Sequence, residues 1–377
     1  VFPRRLDPTI RANLARRWRR GLPRHWSTLL VPAAGVYRLG FLVREAAWAS
    51  GLLERTRLPR AVVSVGNLAV GGTGKTPVVE WIARHCQGGG RRVAVVSRGH
   101  GRSRGGPAGA VVVSDGTAVL ATAEQGGDEP VLLARRLPGV PVVVAKDRAI
   151  GGRLAVERFD AEVLLLDDGF QQRRLRVDVD VVCLDGRDPW GHGLLPRGML
   201  REPPGALRRA HLLVLSRADE ALDPAAVTAA IRAHGSGAPI VDACLEAEAL
   251  EDVRTRERHP LSALAGRPVL AFAGIAQPEG LVRLLTGAGA SPRGLVAFPD
   301  HHAYEPADLA RLGAAAKGMG AELLVTTEKD AVRLTRHFDL PVWALSVRLR
   351  LGEGRTAWTA TLDRLVDQAA SPRPSSA

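Results

Sequence analysis

The stretch AVVSVGNLAVGGTGKTPVVEWIARHC, residues 61–86, decides how this chain reads. Ala61 to Val65 is an uninterrupted apolar run, which suits a buried strand. A glycine-rich turn follows, and Lys75-Thr76 then opens an amphipathic helix. Strand, small-residue loop and helix N-terminus in that order make a phosphate-binding loop. Backbone N–H groups of Gly71, Gly72, Thr73 and Gly74 would converge on phosphate oxygens, helped by the positive end of the helix dipole. Lys75 would reach the β- and γ-phosphates, and Thr76 would serve Mg²⁺. The common pattern asks for Gly five residues before Gly74, where this chain has Ala69. The plainer reading is a glycine-rich turn without nucleotide. Against it, the chain's only lysines are Lys75, Lys146, Lys317 and Lys329, so a lysine in that loop stands out from an arginine-dominated background.

Outward from this loop, apolar runs alternate with helical patterns. Strands are expected at 61–65, 92–97, 140–145, 163–167, 179–184, 211–216 and 239–243. Helices are expected from near Lys75, Glu129, Arg148 and Pro224. That alternation predicts an α/β fold with a mostly parallel sheet and helices on both faces. A glycine-rich excursion, residues 99–122, contains two short strand-like runs, 110–114 and 118–120, that could form a hairpin flap. After a charged stretch, 246–259, read as a linker or β-ribbon, a smaller α/β series follows. Its strands are expected at 269–273, 294–298, 322–326 and 342–347, with helices from near Pro278, Pro306 and Lys329. The expected division is 1–58 as a basic and apolar helical segment, 59–248 as the phosphate-loop domain, 249–370 as a C-terminal α/β (Rossmann-like) domain, and 371–377 as a disordered Ser/Pro-rich tail.

The chain has 377 residues and a formal charge of +13, so anionic partners are implied. Aromatic content is only 4% and no stacking platform or recognition helix is evident, which disfavours nucleic acid. Cys86, Cys183 and Cys244 lack metal-ligand spacing and read as buried thiols. The charge is densest at the start, where eight arginines fall between Arg4 and Arg24 beside Trp18 and Trp26. An apolar stretch, 29–43, then carries Arg38 and is shorter than the roughly 20 residues a span needs. No secretory cleavage site is evident. A basic helix with an apolar face fits the membrane interface, or a helix hairpin packed on the body, or both.

Other segments could carry chemistry. In LLLDDGFQ, residues 164–171, a buried strand delivers Asp167 and Asp168 to its C-terminal end, the edge where open α/β sheets bind ligands. One of them would serve Mg²⁺ beside Thr76. Adjacent side chains point to opposite faces, so both could do so only if the strand has already turned. Asp128, in GDEP, could cap a helix or accept a hydroxyl proton. FPDHHAY, 298–304, could be a turn, a metal site or an acid–base pair. TTEKD, 326–330, could contact phosphate or adenine, or merely cap a helix. Arg201 and Glu202 would pass for ordinary loop residues alone.

Taken together, VGNLAVGGTGKTP, SRGHGR, GDEP, LLLDDGFQ, LPRGMLREP, FPDHHAY and TTEKDAVRL resemble, in order, the bacterial tetraacyldisaccharide 4'-kinase family. The resemblance runs from about residue 60 to 335, and family loops also lack the first glycine. It implies transfer of the γ-phosphate of ATP to the 4'-hydroxyl of a tetraacyldisaccharide 1-phosphate, giving lipid IVA. It further implies Mg²⁺ and a place on the cytoplasmic face of the bacterial inner membrane, with no obligate protein partner. By motif position, Lys75 and Thr76 match the loop residues and Asp128 the base. His301, after Asp300, matches its partner histidine. Asp167 and Asp168 match the acidic pair, and Glu202 a further Mg²⁺-linked carboxylate. Arg148 and Arg201 match arginines that stabilise charge, and Gln171 a site residue. His100 stands where the family has Tyr. The alternatives are a phosphate-loop switch or partitioning ATPase, disfavoured by Val70 before Gly71-Gly72, and a nucleotide-binding scaffold. A GTPase is disfavoured by the lack of a guanine motif.

Overall fold

A computed structural model describes residues 28–99, 109–221, 223–334 and 340–370. The basic stretch 1–27, His100 and the tail 371–377 lie outside the described residues. In chain order the elements are α1 Val31–Ala49, β1 Ala61–Asn67, α2 Lys75–Gly88, β2 Val93–Ser97, β3 Ala110–Ser114, α3 Ala123–Gly126, α4 Asp128–Arg136, β4 Val142–Ala145 and α5 Arg148–Phe159. Then come β5 Val163–Asp167, β6 Val179–Asp185, β7 Leu212–Ser216, α6 Pro224–Ala233, β8 Ile240–Asp252, β9 Arg258–His259, β10 Pro268–Ala273, α7 Glu279–Gly287, β11 Ser291–Ala297, α8 Pro306–Gly318, β12 Leu323–Thr327, α9 Glu328–Ala331, β13 Val342–Leu351 and α10 Arg355–Ala370. The described residues divide into two compact units, one containing residues 28–244 and 351–370, the other 245–350.

The first unit is built on strands in the order β8-β7-β6-β1-β5-β2-β4-β3. All neighbours are parallel except β3 and β4. β1 and β5 are buried at every position, which is why both read as unbroken apolar runs. Strand alternation then sorts their side chains. Val62, Ala94, Val96, Leu164 and Leu166 form one cluster with Ala149 and Ala155 of α5. The alternate residues, including Val65, Ser97 and Asp167, face the other way. None of the buried residues of α2 joins that cluster, so α2 covers the opposite face. Asp167 therefore points to the same side of the sheet as the helix that Lys75 begins.

Two details differ from expectation. Residues 110–114 do not form a hairpin with 118–120. They pair antiparallel with β4 as the edge strand, leaving only a single bridge from Ser114 to Val119. Edge pairing satisfies a row of backbone groups that a two-stranded flap would leave to solvent. The last helix, α10, groups with the first unit rather than extending the C-terminal one. Trp358 explains this. It is fully buried, its Nε1 donates to Leu213 O at 3.0 Å, and its ring meets Trp81 of α2 edge-on. Burying a tryptophan outweighs sequence adjacency, at roughly 3 kcal/mol or more for such a side chain.

The second unit has the parallel order β11-β10-β12-β13. Val269, Ala271 and Ala273 of β10 pack with Leu281 and Leu285 of α7. Leu270 and Phe272 pack with Leu309 and Leu312 of α8. The charged stretch 246–259 takes the ribbon form, β8 pairing antiparallel with β9.

Candidate active site

The phosphate loop, residues 68–74, joins β1 to α2. Gly74 takes the N-cap position of α2 at φ 77°, and no side chain caps the helix. Only glycine enters that conformation without strain. A Cβ there would also press on Ser216 Oγ at 3.2 Å. The loop is held by side chains around it. Asn67 Nδ2 donates to Ala69 O at 2.7 Å and Thr73 Oγ1 at 2.9 Å. Ser216 Oγ donates to Thr73 O at 2.9 Å. An Arg217 N–H donates to Gly72 O at 3.1 Å while its guanidinium pairs with Asp185 at 2.6 Å. The segment LPRGMLREP lies alongside, with Val70 N–H on Met199 O at 2.8 Å and Arg201 N–H on Leu68 O at 2.7 Å. The first-turn N–H groups of α2 face a loop shaped by its own buttresses, the arrangement that binds phosphate.

β5 brings the acidic pair. Asp168 sits at φ 51°, so the chain has turned immediately after Asp167 and the two carboxylates serve different partners. Asp167 is buried; its Oδ2 accepts from Ser97 Oγ at 3.0 Å and its Oδ1 is a buried oxygen with no hydrogen bond. Burial above all, then the charges of Glu129 and Asp168, push its carboxyl up to about 6. Asp168 Oδ1 lies 3.3 Å from Lys75 Nζ, and Arg201 donates to Asp168 Oδ2 at 2.9 Å. Burial opposes the Asp168 charge, but Lys75 and Arg201 hold its carboxyl well below the usual range. The turn needs close approach: a Cβ on Gly66 would stand 2.4 Å from Phe170 Cβ.

Arg201 also donates to Gln171 Oε1 at 3.2 Å, and Gln171 Nε2 donates to Asn67 O at 2.9 Å. Lys75, Asp168, Arg201 and Gln171 are thus one connected group at the strand ends. Arg148, at the start of α5, is buried and donates to Ala145 O at 3.1 Å and Asp167 O at 3.3 Å. Burial lowers its guanidinium to about 10 against the opposing pull of Asp167. Asp128 is buried in the first turn of α4, and its Oδ1 accepts from Glu129 N–H at 3.0 Å. It is not the cap: Gly127 at φ 92° occupies that position.

Glu202 departs from its expected place. Its side chain is wholly buried, but it pairs with Arg209 at 2.7 Å and Arg44 at 3.5 Å. The carboxylate expected to serve Mg²⁺ is therefore neutralised by two guanidinium groups. Among the described residues, no cluster of three or more His, Cys, Asp and Glu side chains forms a metal site. A Mg²⁺ ion held by Thr76, one carboxylate, phosphate oxygens and water does not require such a cluster. The unpartnered Asp167 Oδ1 is a buried acceptor of the right charge, so the residues present fit the ion.

In the second unit, His301 follows β11 at φ 61°, and its N–H donates to Gly274 O at 3.1 Å. Its Nε2 lies 3.4 Å from Lys329 Nζ and 3.9 Å from Asp300 Oδ1, and Lys329 Nζ lies 3.5 Å from Asp300 Oδ1. Asp330, fully buried, accepts from Gly274 N–H at 3.0 Å, Tyr304 O–H at 2.9 Å and Thr327 Oγ1 at 2.6 Å. Thr327 is the N-cap of α9. TTEKD thus shapes the loop that carries His301.

Sequence reasoning missed Asn67, Ser97, Ser216, Arg217 and Glu129, and it singled out Lys329 only within TTEKD, as a phosphate or adenine contact or a cap. Ser97 and Ser216 end predicted strands on the ligand edge of the sheet, a position that alone could have nominated them. Glu129 follows Asp128 in a quoted motif. The three cysteines are free and buried, as read from their apolar surroundings.

A family model described as LpxK, tetraacyldisaccharide-1-P 4'-kinase, matches residues 26–367. A protein of Syntrophus aciditrophicus (strain SB) named tetraacyldisaccharide 4'-kinase is 40% identical over 373 positions, covering 95% of this chain and 99% of the relative. One of the same name from Anaeromyxobacter dehalogenans (strain 2CP-C) is 47% identical over 308 positions, covering 81% of this chain and 80% of the relative. The crystal structure of "apo" form LpxK from Aquifex aeolicus in complex with ATP superposes with a TM-score of 0.73 at 31% identity, covering 90% of this chain and 99% of that one.

Proposed function

The chain belongs to the tetraacyldisaccharide-1-P 4'-kinase family, and we propose on that footing how its side chains divide the work. It is an ATP-dependent lipid kinase, moving the γ-phosphate of ATP to the 4'-hydroxyl of tetraacyldisaccharide 1-phosphate in lipid A biosynthesis. The observation that carries the assignment of roles is the Lys75–Asp168–Arg201 group at the uncapped start of α2.

The loop N–H groups and Lys75 bind the β- and γ-phosphates. Arg148 and Arg201 balance charge on the transferring group, the largest service a protein renders a phosphoryl transfer. When bound, Mg²⁺ would supply further neutralisation of the phosphate oxygens, with Thr76 and Asp167 as the residues to hold it, while Asp168 stays paired with Lys75 and Arg201. Asp128 accepts the proton of the 4'-hydroxyl as the oxygen attacks phosphorus. His301 orients Asp128 and tunes its basicity. Asp128 and His301 belong to different units, and each takes its role here from its motif position.

The membrane surface is the second part of the proposal. No described helix is long and apolar enough to cross a membrane. α1 buries none of its residues, and Val36, Leu39 and Val43 are exposed. At roughly 100° per residue these three share one stripe. Such a stripe suits a helix lying at the lipid interface, and it would bring the site to a substrate that resides there. Label transfer from γ-labelled ATP to the lipid in detergent micelles tests the kinase reading: labelled lipid supports it, and ATP binding without labelled lipid contradicts it.

A further inference from the structure

The face of α1 opposite the apolar stripe carries Tyr37, Phe41, Arg44, Glu45 and Trp48, and it is bound to the first unit by polar contacts. Glu45 pairs with Arg173 at 3.1 Å and Arg209 at 3.3 Å, while Arg44 reaches the buried Glu202 at 3.5 Å. Arg209 joins the two glutamates and lies over the Phe170 ring at 4.4 Å. Interlocked charges around the buried Glu202 add little net stability, but they accept one geometry and reject near misses. α1 is therefore fixed to the body rather than tethered to it.

The contact with consequences for the reaction is Tyr37. Its O–H donates to the backbone carbonyl of Arg201 at 2.8 Å. The N–H of the same residue donates to Leu68 O of the phosphate loop at 2.7 Å. Arg201 is thus gripped at both ends of its own backbone, by the loop on one side and by α1 on the other. Its side chain then reaches Asp168 and Gln171, and Asp168 touches Lys75. The next residue, Glu202, is the anchor for Arg44.

We propose that α1 is part of the scaffold of the phosphate site, with Tyr37 a positioning residue that acts through Arg201. The inference rests on the reading of Arg201 as a site residue. A hydrogen bond to a main-chain carbonyl leaves the guanidinium chemistry untouched and sets only where the guanidinium stands. Misplacement by a fraction of an ångström is enough to slow transfer while ATP still binds to the loop. Whatever α1 rests on is thereby linked mechanically to the charge balance around the transferring phosphate.

The test is a double-mutant cycle on the full chain in detergent micelles, with ATP, Mg²⁺ and tetraacyldisaccharide 1-phosphate saturating. Tyr37→Phe is expected to lower kcat about three- to tenfold, the rate equivalent of one neutral hydrogen bond. KM for ATP and the thermal midpoint should stay near those of the parent. In an Arg201→Ala background the same change should alter kcat less than about twofold, because the guanidinium it positions is gone. Equal fold-losses in both backgrounds would overturn the proposal, as would unchanged kcat in Tyr37→Phe beside an impaired Arg201→Ala. Full activity in Arg201→Ala would overturn the role of Arg201 and this inference with it.

Discussion

Lys75 Nζ stands 3.3 Å from Asp168 Oδ1, and Arg201 holds Asp168 Oδ2 from the other side at 2.9 Å. The carboxylate occupies the position of an anion between two cations at the head of a helix. Replacing Asp168 by Asn leaves both cations uncompensated when no nucleotide is present. The expected cost is about 1 kcal/mol, kept small because Asp168 is partly exposed and solvent screens the pair. Thermal unfolding should then show a lower midpoint without ATP and a larger gain on adding ATP than in the parent. Transfer activity should fall as well. An equal ATP-induced gain in both proteins would contradict this reading of the pair.

Asp185 supports the loop from a distance, through Arg217 and the Gly72 carbonyl. Burial opposes its charge, but Arg217 and Arg187 bring its carboxyl down from 3.8 to about 2. A carboxyl held more acidic in the folded protein stabilises it above the unfolded value near 4, and that stability is lost as pH falls through about 2. The shift corresponds to roughly 2 kcal/mol at neutral pH. Asp185→Asn should lose about that amount in urea unfolding at pH 7, and its stability should fall less steeply than the parent's between pH 4 and 2. Parallel pH slopes in the two proteins would remove Asp185 from the account.

His301 Nε2 faces the Lys329 ammonium at 3.4 Å. An ammonium has only protons to give, so this contact favours Nε2 as the bare nitrogen of the neutral ring, with Nδ1 carrying the hydrogen, over the opposing pull of Asp300 Oδ1 at 3.9 Å. Nitrogen-15 NMR of the labelled ring should show a protonated Nδ1 and an unprotonated Nε2 in the neutral form. Lys329→Met should bring the two tautomers closer to parity. A predominantly Nε2-protonated ring in the parent would contradict the arrangement.

Much of this was legible along the chain because strand periodicity and phosphate chemistry are both local. β1, the glycine turn and Lys75 are contiguous, so apolar run and loop could be read together. Asp167 and Asp168 end a strand whose run of leucines announces full burial. Glu202 was not legible, because Arg44 comes from an element that only the fold brings to it, and nothing in the local pattern marks Arg209, seven positions on, as its other partner. The same holds for α10, whose place is set by Trp358 reaching Leu213 across 145 positions of sequence. Arg217 holds Gly72 over an equal separation. Nothing in local pattern marks either residue. Asp128 shows a different limit: a buried carboxylate at a helix start reads as a cap until Gly127 is seen to occupy the cap position.

The exposed stripe of α1 gives a prediction free of stability effects. Leu39 and Val43 are each 62% exposed. The double change Leu39→Glu and Val43→Glu should leave the thermal midpoint unchanged. It should reduce co-sedimentation with phosphatidylglycerol-containing vesicles severalfold, through lost apolar burial and added like charge. Undiminished sedimentation would take the stripe out of the membrane reading.

The central claim is a division of labour, in which Lys75 handles the phosphates and Asp128 takes the hydroxyl proton. Steady-state kinetics of Asp128→Asn and Lys75→Ala, with ATP and tetraacyldisaccharide 1-phosphate varied separately, tests it most directly. For Asp128→Asn the account predicts a kcat loss of about a hundredfold or more, with KM for ATP within about threefold of the parent. For Lys75→Ala it predicts loss in kcat together with weakened ATP binding. An Asp128→Asn enzyme that keeps its kcat, or that fails only by losing ATP, would contradict it.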